Sequence, residues 1–458
     1  MSSNSYIQVP PDSSGKKVYH KQHTNVDGNT VQAPVMHIGD PDNSSYVQKV
    51  DVKGQAFTRF ADGSPTLDAF GNLRVSNAHV LGAYEFTNSD MMDLFSIKEL
   101  VGGTVTHNPT SSTTVLGVTG TISSESRIST NRYHYYQPGT GNLAIMTLSL
   151  NDSGKTGNVR GWGYGDYDNG LLWRLNGTTF QCGIRSKVTG TVTNTFIDQA
   201  NWNGDKLDGS GPSGMILDLT KANFYWIDFA WLGVGEVRFG VLAPDGAKIV
   251  CHTFQNPNSN VGPYMQSGSL PLSYHNFNTA LTSGTSEMNL ICAAVYSEGA
   301  TDYTYWRFND IERDPTTVTT NTHILSMRPR YQVNGKTNRV GVYPDSLSVY
   351  VSGGNVKISI VDDATISTPT WSITGEGVVD GDISASTVSG GSKFKTWYLA
   401  PGCHDICLSC FYETNDEGYH VLADAATVDD VYSLTIVATK LDGTTVNVGA
   451  SICYRELR

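Results

Sequence analysis

The stretch Phe224-Tyr225-Trp226-Ile227-Asp228-Phe229-Ala230-Trp231 alternates with a period of two: Tyr225, Ile227, Phe229 and Trp231 share one face, and Asp228 lies on the other. Successive side chains of a strand point to opposite faces, so the pattern fits a half-buried strand and not the 3.6-residue period of a helix. Glu236-Val237-Arg238-Phe239-Gly240-Val241 repeats the alternation after Gly233 and Gly235. Together the two runs predict a β-hairpin or meander whose apolar faces line a sandwich core. Comparable runs at 143–150, 171–175, 180–185 and 290–295 extend the prediction to an all-β sandwich of jelly-roll type. Composition agrees, since only 16% of the 458 residues are charged and 47 are glycine, a mixture poor in helix formers and rich in turn formers.

The chain divides by pattern into four parts. Residues 1–85 read as an extended N-terminal arm: Pro10, Pro11, Pro34 and Pro41 interrupt any helix, and turn signals recur at Asp27-Gly28, Asp40-Pro41 and Asp62-Gly63. The short apolar patches Val50-Asp51-Val52 and Ala56-Phe57-Thr58-Arg59-Phe60 suit strand pairing against a partner surface. Residues 86–315 form the central sandwich domain, which opens with one predicted helix between Ser89 and Leu100, where Met91, Leu94 and Phe95 follow a three-and-four spacing. The polar, proline-bearing run at 316–322, within Asp314-Pro315-Thr316-Thr317-Val318-Thr319-Thr320-Asn321-Thr322, reads as a linker. Alternation resumes at 346–351, 356–361 and 433–438, which predicts a second, smaller β-sandwich over 323–458.

Charge and chemistry narrow the function by exclusion. With 31 Lys and Arg against 43 Asp and Glu the net charge is -12, which disfavours a nucleic-acid partner, because phosphate neutralisation needs a basic face. No apolar run is long enough to span a bilayer, and MSSNSYIQVPPDSSGKK lacks the basic start and apolar stretch of a secretory signal. Synthesis in a cytoplasm in soluble form is therefore expected. Seven scattered cysteines fit reduced thiols better than a disulfide framework. Gly154-Lys155-Thr156 lacks the upstream glycine of a phosphate loop, and Gly233-Val234-Gly235 is followed by a strand where a dinucleotide site needs a helix. In Cys403-His404-Asp405-Ile406-Cys407-Leu408-Ser409-Cys410 a strand turns Cys410 away from Cys403 and Cys407, so no zinc site is expected. No cofactor and no metal are predicted.

Two features keep a sugar-directed role open. Asp166 and Asp168 in Gly165-Asp166-Tyr167-Asp168-Asn169-Gly170 could serve in a calcium loop or as the paired acids of a retaining glycosidase, although Asp-Asn-Gly favours a solvated hairpin turn on its own account. Trp162 and Tyr164, beside Tyr167 and Tyr133-His134-Tyr135-Tyr136, could stack on a glycan or anchor a subunit interface, interface packing being the stronger expectation.

The run Asp68-Ala69-Phe70-Gly71-Asn72-Leu73-Arg74-Val75-Ser76-Asn77 resembles a signature of structural proteins of tailed bacteriophages. Residues 10–17, 207–214 and 228–240 look similar to the same group, and the likeness extends over roughly residues 7 to 360, with Asn72 and Ala78 standing where a basic residue and a proline are usual. The resemblance implies a non-enzymatic virion component, tail or neck associated, with a capsid decoration protein as the alternative and a carbohydrate-binding or polysaccharide-cleaving tail protein as another. Its partners would be further copies of itself, other virion proteins and, as an option, a host surface glycan. An isolated arm cannot offset an ordering entropy of about 1–2 kcal/mol per residue, so Phe70, Leu73 and Val75 are expected to anchor an assembly contact, with Arg74 meeting a carboxylate across it. A hairpin packed on its own chain is the competing expectation at that site.

Overall fold

A computed structural model describes residues 78–87, 94–299, 306–373, 377–409, 433–443 and 445–457, together with the strands Ser5–Gln8, Lys17–Thr24 and Thr30–Val35. Those three strands pair antiparallel in sequence order, within a compact unit spanning Met1–Ser64. An arm extended throughout 1–85 is thereby corrected, because the strands Ser5–Gln8, Lys17–Thr24 and Thr30–Val35 pair with one another. The predicted anchors Phe70, Leu73, Arg74 and Val75 lie outside the described residues, as do the patches at 50–52 and 56–60.

The remainder is all-β and is built as two sandwiches. In the first, a seven-stranded sheet runs in the order Thr193–Asp198, Thr179–Ser186, Gly170–Asn176, Asn158–Gly165, Leu272–Asn278, Glu125–Thr130, Phe95–Leu100. It faces an eight-stranded sheet ordered Lys248–Phe254, Val237–Leu242, Asn223–Phe229, Asn142–Leu150, Ser286–Glu298, Thr113–Val118, Gly103–Asn108, with Ala78–Glu85 pairing along Ser286–Glu298. Every recorded strand pairing is antiparallel, as expected for a jelly-roll sandwich.

Aromatic side chains lock the two sheets face to face. Trp162 meets Tyr225 across the core with ring centroids 4.9 Å apart, and Trp173 meets Phe239 at 5.3 Å, both edge to face. Phe180 stacks on Trp173 at 5.3 Å and Trp202 closes on both. Such pairs add about 0.5–1.5 kcal/mol each beyond the area they bury.

The second sandwich has its own core, from Ile311 to Tyr454. Its four-stranded sheet runs Trp306–Thr317, Asn447–Leu457, Gly341–Ser352, Gly402–Cys407, and its six-stranded sheet Ser372–Ile373, Val379–Asp382, Thr322–Pro329, Leu434–Lys440, Val356–Asp362, Ser392–Leu399.

Five further expectations are corrected. The first sandwich starts at Ala78, not 86, because Ala78–Glu85 adds a strand beside Ser286–Glu298. Its strands end at Glu298, and residues assigned up to 315 belong to the second sandwich through Trp306–Thr317. No linker exists at 316–322: Thr316 and Thr317 pair with Val448 and Asn447, the Val318 N–H donates to Val446 O at 2.8 Å, and the segment turns directly into Thr322–Pro329. The predicted helix at Ser89–Leu100 is a strand from Phe95 onward, where Ile97 pairs with Ile128 as an outer strand of the seven-stranded sheet. Among the cysteines, Cys182, Cys251, Cys292, Cys403 and Cys453 are free, whereas Cys407, at the exposed end of its strand, is disulfide-bonded, against the expectation of wholly reduced thiols. No helix of the described residues is long and apolar enough to cross a membrane.

Both sandwiches enclose neutral histidines. The Tyr84 hydroxyl donates to His134 Nε2 at 3.0 Å, and His134 Nδ1 donates to Leu270 O at 3.1 Å. Burial, reinforced by Arg132, pushes its pKa from 6.5 down to about 3. His323 is lowered to about 4 by burial, partly opposed by Asp382. Between those values and 6.5 the unfolded chain binds more protons than the folded one, so this stability is complete above pH 6.5 and drains away as pH falls. The melting temperature is expected to be level from pH 7 to 8 and to decline from about pH 6 toward 4; a level profile down to pH 4 would contradict this account.

Candidate functional site

The segment Gly161-Trp162-Gly163-Tyr164-Gly165 sits at the centre of the seven-stranded sheet, between Gly170–Asn176 and Leu272–Asn278. Its aromatic positions face the core and its glycines face away, as the period of two requires. Trp162 and Tyr164 are therefore fully buried, and the expectation that they stack on a glycan is corrected. Tyr164 spends its hydroxyl inside: it donates toward His134 O and Gly268 O, both at 2.9 Å, and accepts from the Leu270 N–H at 3.1 Å.

The acidic turn that follows is fully occupied. Asp166 Oδ1 accepts the backbone N–H groups of Asp168 and Asn169, each at 2.8 Å, which fixes the turn. Asp166 Oδ2 accepts Arg339 Nε at 2.9 Å and Nη2 at 2.5 Å. Both partners are nearly sealed from solvent, with side-chain exposures of 3% and 8%. Burial is the largest single influence and works against the Arg339 charge, but Asp166, Tyr133 and Asp168 together raise the guanidinium above its ordinary pKa. Asp168 meets Lys187 Nζ through Oδ1 and the Thr337 hydroxyl through Oδ2, both at 3.0 Å. Arg339 and Thr337 belong to the second sandwich, so the turn is a clasp between the two halves. All four carboxylate oxygens of the turn thus have a partner within the protein.

Chemistry not anticipated from the sequence lies on the side of the same sheet that faces away from the core. One row across it reads Lys98, Arg127, His275, Gly161, Arg174, Gln181, Asp198, each paired with the next by register. Four residues further along the strands, and so on the same face, Arg185 stands opposite Gly170. These positions point away from the core because their chain neighbours Ile128, Tyr274, Trp173 and Ile184 point into it. A Cβ at Gly161 would lie 2.4 Å from Cε1 and Nε2 of His275, so the imidazole rests directly on glycine backbone. The Arg127 guanidinium lies 3.5 Å from the centroid of Tyr167, and that of Arg174 lies 3.6 Å from the centroid of Phe196. Such stacking fixes a planar cation without neutralising it.

The charges here repel. Burial, then Arg127, lowers Arg185 to about 10, while burial followed by Arg185, Arg127 and Arg174 holds His275 neutral, well below its usual range. Sequence reasoning passed over these residues because they are scattered along the chain; the period-two glycines at 161, 163 and 165 were the available sign of a bare sheet face. Among the described residues no group of three or more His, Cys, Asp or Glu is placed to hold a metal ion.

No protein-family model and no curated protein sequence matches the chain. Among solved structures, it is similar to a glycosyl hydrolase family protein from Mycobacterium fortuitum, with 13% identity over 47% of this chain and 99% of that one and a TM-score of 0.33. A legume lectin-like domain from Entamoeba histolytica has 11% identity over 48% of this chain and 98% of that one, with a TM-score of 0.29. Likenesses at this level bear neither on activity nor on ligand, and the sandwich architecture stands on the chain's own strand pairing and cores.

Proposed function

We propose that the chain is a non-enzymatic structural component of a tailed-phage virion, tail or neck associated, which assembles with further copies of itself and with other virion proteins. The observation that carries the non-enzymatic part is the Asp166–Arg339 pair: the best carboxylate pair in the sequence serves as a buried clasp between two sandwiches. A rigid double sandwich is a suitable building block, since symmetric assembly multiplies contacts that are individually weak. The virion role itself is supported by the sequence resemblance around Asp68–Asn77.

Replacing Phe70, Leu73 and Val75 together by alanine in the full chain is the direct test. Sedimentation is expected to show the oligomer of the parent chain giving way to monomer, with the far-ultraviolet circular dichroism unchanged. A triple variant that assembles as the parent does, or a parent that is monomeric and cleaves polysaccharide, would overturn the proposal.

A further inference from the structure

The outer face of the seven-stranded sheet holds three guanidinium groups that no carboxylate pairs with among the described residues. Arg127 Nε approaches the Ser129 hydroxyl at 3.5 Å, and Arg174 Nε donates to Gln181 Oε1 at 2.8 Å. Arg185 donates to Asn194 Oδ1 at 3.2 Å and to Asp166 O at 3.1 Å. All these acceptors are neutral. The acids nearby are already engaged: Glu125 with Lys98, Asp168 with Lys187, Asp166 with Arg339, and Asp198 with the Gln181 side-chain amide at 2.5 Å. Asp198 still acts on Arg174 and Asp166 on Arg185 through space, yet in a chain of net charge -12 three cations gathered on one face with no direct ion pair need a reason beyond the fold.

The face has a closed end and an open end. Arg127 and His275 are 7% and 6% exposed, whereas Arg174 and Arg185, toward the outer strand Thr193–Asp198, keep intermediate exposure. His275, 6% exposed, makes no hydrogen bond through its ring nitrogens among the described residues, and these nitrogens are not among the fully buried unpartnered atoms, so they stay within reach of a ligand from the solvent side.

We propose that this face binds an acidic saccharide, whose carboxylate or sulfate is held by Arg127, Arg174 and Arg185 and whose ring lies toward His275 and the glycine floor. Guanidinium forks match the planar oxygens of such groups and gain strength from the charge. Gln181, Asn194, Ser129 and Ser273 border the cations on the same face and supply donors and acceptors for hydroxyl groups. An acidic peptide that docked by adding a strand would need an open edge, and the central strands here have both edges paired. A nucleic acid, with one charge per nucleotide, would meet the negative remainder of the chain along its length. The inference is independent of the virion reading, since it concerns this face whatever assembly carries it.

The experiment is calorimetric titration of the full chain with four probes: a glucuronate-containing tetrasaccharide, a sulfated tetrasaccharide, the neutral glucose counterpart, and inorganic sulfate. At least one acidic tetrasaccharide is expected to bind, more weakly as salt rises, with Arg174→Gln and Arg185→Gln each weakening it at least tenfold and the neutral sugar not binding. Because both variants relieve like-charge repulsion, their melting temperatures are expected to equal or exceed the parent's, which separates lost binding from lost fold. Gly161→Ala, which drives the His275 ring out of its seat, is expected to weaken binding as well. Equal binding of the neutral sugar, binding of inorganic sulfate alone, no binding of either acidic probe, or unaltered affinity in both arginine variants would overturn the proposal. None of these outcomes alters the sedimentation test of assembly.

Discussion

Asp166→Ala is expected to lower the stability of the folded chain by about 3–5 kcal/mol, the usual consequence of removing one partner from a buried ion pair. Two losses combine. Arg339 remains inside a nearly closed contact with no carboxylate to meet its Nε and Nη2, and the Asp168 and Asn169 N–H groups lose the oxygen that folds the turn. Asp166→Asn separates them, because its side-chain oxygen still serves the turn while the charge is gone. The double variant Asp166→Asn with Arg339→Met is expected to recover most of the loss, since no uncompensated cation is then buried. Denaturant unfolding followed by tryptophan fluorescence measures all three. If Asp166→Ala unfolds within about 1 kcal/mol of the parent, in the range of an exposed pair, the clasp is not a buried one.

Trp162→Ala is expected to cost a similar about 3–5 kcal/mol, by opening a cavity between the sheets. The ring contacts Tyr225 at 4.9 Å and Phe180 at 5.9 Å, so its loss unseats two further aromatic side chains. Its indole N–H has no hydrogen-bond partner, hence Trp162→Phe forfeits volume but no polar contact and is expected to cost under about 2 kcal/mol. The comparison is decisive for the role of this residue. A glycan platform would leave stability untouched on substitution; a core ring would not.

Why Trp162 was misread shows where sequence reasoning stops. Alternation identified most of the large strands, including Asn223–Phe229, Val237–Leu242 and Asn142–Leu150, because a strand with one buried face imprints a period of two. Read with the same rule, Gly161-Trp162-Gly163-Tyr164-Gly165 places the aromatics inside, but nearby glycines and tyrosines drew attention to the surface. Trp306–Thr317 was cut in two because its end carries Pro315 and few apolar residues. Backbone pairing is indifferent to such polarity, and the proline is accommodated where the register with Asn447–Leu457 shifts, between Arg313 and Thr316, on a strand at the sheet's edge. Met91, Leu94 and Phe95 fit a helical stripe by spacing alone; pairing with Glu125–Thr130 prevailed over local pattern from Phe95. The arginine face was illegible for a different reason. Arg127, Arg174 and Arg185 are brought to one face only through the register of five strands, and register across a sheet leaves no local trace in the sequence.

The strand Asn447–Leu457 lies between Trp306–Thr317 and Gly341–Ser352 in its sheet, with Thr317 and Asn447 in contact across 130 residues of chain. During synthesis the earlier two strands therefore emerge with a vacancy between them, and the half-built layer must wait on the ribosome's last contribution to this region before it can zip shut. The preceding sandwich, whose pairings are complete by Glu298, is free of that delay. Premature termination before residue 447 would thus leave a finished first half joined to a second half with two sticky margins, the sort of product that clumps or is degraded.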